Sequence, residues 1–482
     1  MLLQPTLLKY IKAPIICLIL SLVFYASFAY NLVRTEATKL ILLYLSLFVI
    51  AYVLKKSAGL NFPFLVLASI LVRLVFLPAI PNLSQDFYRF IWDGRMLFQG
   101  FNPYLQTPDT IINSGIISIA EAQELYNGMG KLSASHFTNY PPINQLCFYF
   151  AALFSGKNIA GAVVVLRLII ISADIGVIYF GKKLLENLKL PTNRIWLYIL
   201  NPFIIIELTG NLHFEGVMIF FLIWSLYLLQ IGKWKWAAVV FSCSISVKLI
   251  PLMFLPIFFW YFVIEKPKTQ KLNHKDKSAS QPFFQNFGFA LLESRGFFRL
   301  IIFYFIVIIT TLLLFLPFFS MEFINNYSKT VGLWFNNFEF NASIYYLARE
   351  IGFWFTGYNE IKTIGKILPI IALILILAFS LLKKNTDIPK LASSIVLAFS
   401  CYLFLSTTVH PWYVATLVAL CVFTNYRFPL VWSVVIVLSY LSYLSIGTAS
   451  KSENLWIIGL EYFIVFSAFV WEVILKRKLP IS

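Results

Sequence analysis

Charge is scarce in this chain. Asp, Glu, Lys and Arg make up 12% of its 482 residues, about half the share of an ordinary soluble domain, which excludes a soluble core. Cysteine is scarcer still: Cys17, Cys147, Cys243, Cys401 and Cys421 are scattered through apolar stretches and none forms a Cys-x-x-Cys pair. Neither a disulfide frame nor a zinc site is therefore indicated, and no metal or other cofactor is expected. Acidic residues are few, 21 against 38 Lys and Arg, for a net charge of +17. In a soluble protein that balance suggests nucleic acid. Here Lys and Arg collect in loops on one side of the apolar runs, as membrane topology requires, so no nucleic-acid partner is expected. A small-residue cleavage site is also missing after the first apolar run, so no cleavable signal peptide is expected.

What is abundant is apolar sequence: 60% of residues are hydrophobic and the mean hydropathy is +0.81. Several runs reach the roughly 20 residues that a helix needs to cross a bilayer. The expected fold is an all-α, polytopic integral membrane protein with about 11 to 13 transmembrane helices, embedded in the bacterial cytoplasmic membrane. Residues 1–80 read as N-terminal spans, 81–142 as a first outer loop, 143–264 as further spans and 265–299 as a Lys-rich cytoplasmic loop, mobile in its middle. Residues 300–482 read as a last group of spans, interrupted by a second outer loop at 320–357 that contains a short amphipathic piece near Tyr345–Ile351. Ile143–Phe154 is too short to cross, so partial immersion is expected there, and the prolines and lysine within Ala237–Phe262 suggest two short helices in a hairpin.

The stretch Ser84–Tyr104 stands out as too charged for a bilayer and too aromatic for an idle loop. Read as a helix from Asp86, it places Asp86, Arg89 and Asp93 on one face, with Phe87, Ile91 and Phe98 on the other. That pattern suits a helix lying on the membrane, apolar side down and carboxylates up. Gly100-Phe-Asn-Pro-Tyr104 then breaks it.

On the expected topology Asp86, Asp93, Tyr140, His213, Glu215, Glu339 and His410 all fall on the outer side, as do three of the four histidines. Ionisable groups at a membrane face suggest a site, here one for a charged head on a lipid tail. Plainer readings stand beside this one. Arg89 pairs with Asp86 and Asp93; His213 and Glu215 form a helix-end pair; His410 belongs to an aromatic interface belt. Lys248 is expected to snorkel to the cytoplasmic surface. Arg73 and Asp174 are expected to find partners inside the bundle, with Arg167, seven residues from Asp174, as its candidate partner. Asn341-Ala-Ser343 matches a glycosylation triplet but is discounted as a chance match.

Asp86-Phe-Tyr-Arg-Phe-Ile-Trp-Asp-Gly-Arg95 with Gly100-Phe-Asn-Pro-Tyr104 resembles the first outer loop of GT-C superfamily glycosyltransferases, in particular the bacterial polyprenol-phosphate-mannose-dependent mannosyltransferase-like proteins. Tyr140-Pro-Pro-Ile143, Asn211-Leu-His-Phe-Glu-Gly216, Val247-Lys-Leu-Ile-Pro251 and His410-Pro-Trp-Tyr413 resemble further blocks of that family, in its order. The resemblance implies an enzyme of the outer face that moves a hexose, mannose being expected, from a polyprenyl-phosphate sugar donor to the hydroxyl of a glycan or glycolipid acceptor. It implies Asp86 as general base and Asp93 as the second acidic residue of the loop, though without a tight Asp-x-Asp pair. Arg89, Arg95, His410 and His213 are candidate donors to the departing phosphate; Tyr140, Glu215 and Tyr413 are candidate substrate contacts. A carrier or flippase of lipid-linked saccharides, or an oligosaccharide polymerase or ligase, are the rival readings. A carrier would show inverted repeats and ionisable groups near the midplane, and the sequence shows no internal repeat.

Overall fold

The computed structural model describes residues 5–59, 61–115, 118–264, 294–336, 338–442 and 453–479. Most of the expected Lys-rich loop (265–293), Asn337 of the second outer loop, and residues 443–452 within the last group of expected spans lie outside the described residues.

Among the described residues the protein is all-helical, apart from one isolated parallel β-bridge between Phe340 and Thr408. Helices α1 (Pro5–Asn31), α2 (Ala37–Ala58) and α3 (Phe62–Leu74) come first, then α4 (Asp86–Phe98), α5 (Pro108–Ser114) and α6 (Ala122–Ala134) in the long loop. Helices α7 (Pro142–Ser155) and α8 (Ile159–Asn187) follow, and after several short turns α9 (Glu215–Gln230) and α10 (Trp234–Val247). The second half holds α11 (Arg295–Phe315), α12 (Met321–Asn336), α13 (Ile344–Thr356), α14 (Ile361–Leu382), α15 (Ile388–Leu405), α16 (Val414–Cys421), α17 (Phe428–Val435) and α18 (Leu455–Phe469).

Seven of the described helices are long and apolar enough to cross a bilayer, and five shorter apolar helices pack among them. This is a polytopic membrane protein. Its helices start where polar side chains can hold their open N–H groups: Asn61, Asn158, Ser294, Asp387 and Asn454 each accept a backbone N–H of the first turn. The short helix α7 spans 14 residues, about 21 Å at 1.5 Å per residue, too little to cross. It turns back at Gly156 into the 29-residue α8.

Two backbone breaks shape the interior. The turn Pro202–Gly210 ends in π-helical geometry and meets α9 at 115°, with Asn211–Phe214 buried in the bend. Such a break strips carbonyls of their helical partners, and in lipid these must be satisfied by protein. Arg167 does this, donating to Thr209 O (2.8 Å), Gly210 O (3.0 Å) and Leu77 O (2.8 Å). Arg167 is therefore not the partner of Asp174. Arg73 takes that place, with Nε 2.7 Å from Asp174 Oδ2 and both side chains 2% exposed. The second break lies between α10 and the 3-10 stretch Ile250–Phe258, which carries Pro251 and Pro256, and Lys248 sits at the joint in extended backbone.

Candidate active site

Helix α4 is held on two sides. Phe90 stacks on Phe148 of α7 at 4.7 Å, and Gly94 lies so close to α7 that a Cβ there would sit 2.1 Å from the Phe148 carbonyl oxygen. On its polar side Arg89 donates Nε to Asp93 Oδ1 (2.8 Å) and Nη1 to the carbonyls of Ser133 (2.7 Å), in the last turn of α6, and of His136 (2.9 Å), just past it. Gln145 donates to the other Asp93 oxygen at 3.0 Å. Asp93 is fully buried and Arg89 nearly so. Arg95 turns away to Glu121 (2.7 Å) and the Ala120 carbonyl.

These contacts correct the picture of a helix lying on the membrane with its carboxylates up: both faces of α4 are covered, because α6 and its flanks close over the charged side. Arg89 pairs with Asp93 and not with Asp86. Among the described residues the guanidiniums of Arg89 and Arg95 bind the loop's own carbonyls and carboxylates, while Arg89 Nη2 and Arg95 Nε make no hydrogen bond.

Asp86 is different. It starts α4, is half-buried, and makes no side-chain hydrogen bond among the described residues. Burial pushes its carboxyl up to about 6, against the opposing pull of the Lys248 ammonium and with a small push from Glu215. Lys248 reaches this point from the broken helix. Its Nζ lies 3.1 Å from Glu215 Oε1 and 5.1 Å from the Tyr140 ring centre. Glu215 is completely buried and among the described residues neither of its oxygens has a directed hydrogen bond, so the lysine is its counter-charge. Lys248 thus does not snorkel to the far surface: a buried carboxylate holds it on the side where Asp86 lies.

A third wall comes from Ser406–Tyr413. The ring of Trp412 stacks on His213 (3.6 Å, 20°) and on His410 (4.5 Å, 5°), and Tyr413 meets His410 edge-on at 5.5 Å. His410 is kept neutral, its imidazole pushed down to about 3 by burial and by Lys248. It can donate an N–H but not a charge. The parallel bridge sets its position: Phe340 N–H donates to Thr407 O (3.1 Å) and Val409 N–H to Phe340 O (2.8 Å), with the Phe340 ring 5.2 Å from His410. His213 is not paired with Glu215. Its nearest carboxylate is Glu207, at 3.9 Å, which accepts from Tyr440 at 2.9 Å through both oxygens. Tyr413 lies within electrostatic reach of Glu215 and Asp86.

The structure therefore brings Asp86, Tyr140, Glu215, His213, His410 and Tyr413 around Lys248, with the Arg89–Asp93 pair of α4 within electrostatic reach of Tyr140 and Arg95 turned to Glu121. Sequence reasoning misread Lys248 and passed over Trp412, Glu207 and Tyr440. One signal was present: a lysine inside an apolar run with proline three residues on, where a freed backbone and a charge coincide.

A profile described as alpha-(1->6)-mannopyranosyltransferase, N-terminal domain (the MptA/MptB family), matches residues 21–264, just over half of the chain. The chain belongs to this family. The match to the mannopyranosyltransferase family contains Asp86, Tyr140, His213, Glu215 and Lys248, whereas His410, Trp412 and Tyr413 lie beyond it. Among curated proteins the chain is similar to alpha-(1->6)-mannopyranosyltransferase A of Mycobacterium tuberculosis, 23% identical over 187 residues (38% of this chain, 34% of the relative). It is also similar to alpha-(1->6)-mannopyranosyltransferase A of Corynebacterium glutamicum, 24% identical over 198 residues (40% and 37%). The matched stretches thus cover little more than a third of either relative's length.

Proposed function

We propose that this protein is a mannosyltransferase that moves one mannosyl unit from a polyprenyl-phosphate donor to a hydroxyl of a glycan or glycolipid. It would work at the outer face of the bacterial cytoplasmic membrane, the side on which α4 would then lie. The observation that carries the proposal is that Lys248, held by buried Glu215, lies within electrostatic reach of Asp86, inside the stretch that matches the family.

The chemistry follows from the two charges. A sugar hydroxyl is a weak nucleophile, and a carboxylate that takes its proton in the transition state contributes about 10²–10⁴-fold. Among the described residues Asp86 is the carboxylate of this group that has neither a hydrogen bond nor an ion pair from another side chain. As the hydroxyl oxygen bonds to the anomeric carbon, the bond from that carbon to the phosphate oxygen breaks, and negative charge grows on the lipid phosphate. The ammonium of Lys248 faces that charge, with neutral His410 as an N–H donor beside it. Glu215 holds Lys248 in place, while Tyr140 and Tyr413 bound the sugar space. Asp93 acts through Arg89 by holding α4 rather than by touching substrate. The relatives' name specifies an α-(1→6) product. A single displacement inverts the anomeric centre, so the donor would be β-linked and the acceptor group a primary 6-hydroxyl.

Proteoliposomes given labelled polyprenyl-phosphate mannose and an α-mannoside acceptor test this. Asp86→Asn is expected to lower transfer about 100-fold or more, and Lys248→Met to lower it comparably while product from the wild type carries the inverted linkage. Undiminished transfer by well-folded Asp86→Asn removes Asp86 as the base. Movement of a fluorescent lipid-linked sugar across the bilayer without acceptor would favour the carrier reading instead.

A further inference from the structure

Helix α13 has a face that the proposed chemistry does not use. Leu347, Ile351, Trp354 and Phe355 recur at helical spacing and form one stripe, and Tyr358 continues it past the helix end. The stripe is exposed, Trp354 at 84% and Phe355 at 85%. The opposite face is tied down. Tyr345 Oη donates to Glu339 Oε1 (2.9 Å), Arg349 Nη1 to Glu339 Oε2 (2.6 Å), and Tyr346 to Glu453. The helix is thus locked in an orientation that presents its rings outward.

We infer that α13 is an in-plane membrane anchor, its aromatic stripe seated at the headgroup–acyl boundary of the leaflet on the active-site side. Continuity selects lipid as the occupant. Gly357 ends α13, and with three residues between them α14 begins at Ile361, one of the seven described helices suited to crossing the bilayer. The outward residues Ile367, Ile370 and Ile374 of α14 carry the same apolar surface on into the span. Trp, Phe and Tyr at the entry to a spanning helix are what an interface belt requires, and an amphipathic helix there lies flat with its apolar face down.

The anchor also connects to the candidate site. Glu339, gripped by Tyr345 and Arg349, adjoins Phe340, which pairs with Thr407 and Val409 directly before His410. The depth of α13 in the leaflet would thereby set where the His410 wall stands. That link rests on the proposed site, whereas the membrane contact does not.

The test reads the Trp354 contribution to emission as the difference between wild type and Trp354→Phe in nanodiscs. The expected component is blue-shifted, strongly quenched by lipids brominated high in the acyl chain and little touched by aqueous iodide. Quenching by iodide with no effect of brominated lipid would overturn the anchor. Protection from both quenchers would overturn it too, by showing a protein surface over the stripe. Phe355→Trp in the Trp354→Phe background repeats the measurement one residue on, and should show the same quenching pattern. None of these readings depends on transfer activity, so they stand or fall apart from the proposed reaction.

Discussion

Helices α4 and α13 are each thirteen residues long and amphipathic, and they have opposite fates. In α4 the charged face is sealed by α6 and the chain beyond it, so Arg89 and Asp93 form an interior pair and the rings pack on α7. In α13 the polar face is the bound one and the rings look out. An amphipathic pattern states that two faces differ, but not which surroundings each will meet. In a membrane protein water, lipid and protein all compete for those faces.

Arg89→Met should open the widest gap between the two helices. It leaves Asp93 charged and without its guanidinium in a site that is 0% exposed, a change worth about 3–5 kcal/mol. Arg349→Met breaks a pair whose members are each 18% exposed, and should cost no more than about 1 kcal/mol. Thermal unfolding in detergent ranks the two, and equal losses would break the comparison.

The glycines sharpen it next. A Cβ on Gly94 would meet the Phe148 carbonyl at 2.1 Å, whereas on Gly352 of α13 its nearest neighbour is Glu360 Cβ at 3.6 Å, an ordinary contact. Gly94→Ala should therefore destabilise by about 1–3 kcal/mol or more. Gly352→Ala should stabilise by up to about 1 kcal/mol, the helix-propensity difference. If Gly94→Ala unfolds no more easily than wild type, α4 and α7 are not in backbone contact.

Titration separates the start of α4 from its middle. Asp86 has a native carboxyl raised to about 6, above its unfolded value. Its contribution to stability is then present below the unfolded value and is lost as pH rises through 6. If Asp86 is the proposed base, transfer should follow the opposite course, falling with decreasing pH through about 6 as its carboxylate is protonated. Asp86→Asn should accordingly be somewhat more stable than wild type at pH 8 while inactive. A mutant less stable than wild type at that pH would contradict the burial of this carboxylate.

Part of the site is legible in the chain because its residues lie in short blocks: Asp86 opens α4, Tyr140 precedes two prolines, and His410 precedes Pro-Trp-Tyr. Those blocks mark turns at helix ends, which local chemistry dictates. The resemblance points to Asp86 as the base, but periodicity alone does not separate it from Asp93, since both share one helical face. Gln145 and the carbonyls of Ser133 and His136, more than 40 residues away, bind Asp93 and Arg89, which only the tertiary structure shows. Likewise nothing local distinguishes a lysine reaching for a surface from one reaching for a buried carboxylate. Lys248 is settled by Glu215, 33 positions earlier.

The sequence by itself determined the class of molecule. Long apolar runs with little charge can satisfy their backbone in lipid only as helices, and so an all-α membrane bundle follows. It also determined the periodicity that puts particular side chains on a common face. Tertiary structure alone decided which charges cancel and which remain. Partnership between ionisable groups depends on distance and burial, and packing sets both between segments the chain order keeps apart. Asp93 and Arg73 are neutralised in this way, while Asp86, opposite Lys248, accepts no side-chain hydrogen bond among the described residues.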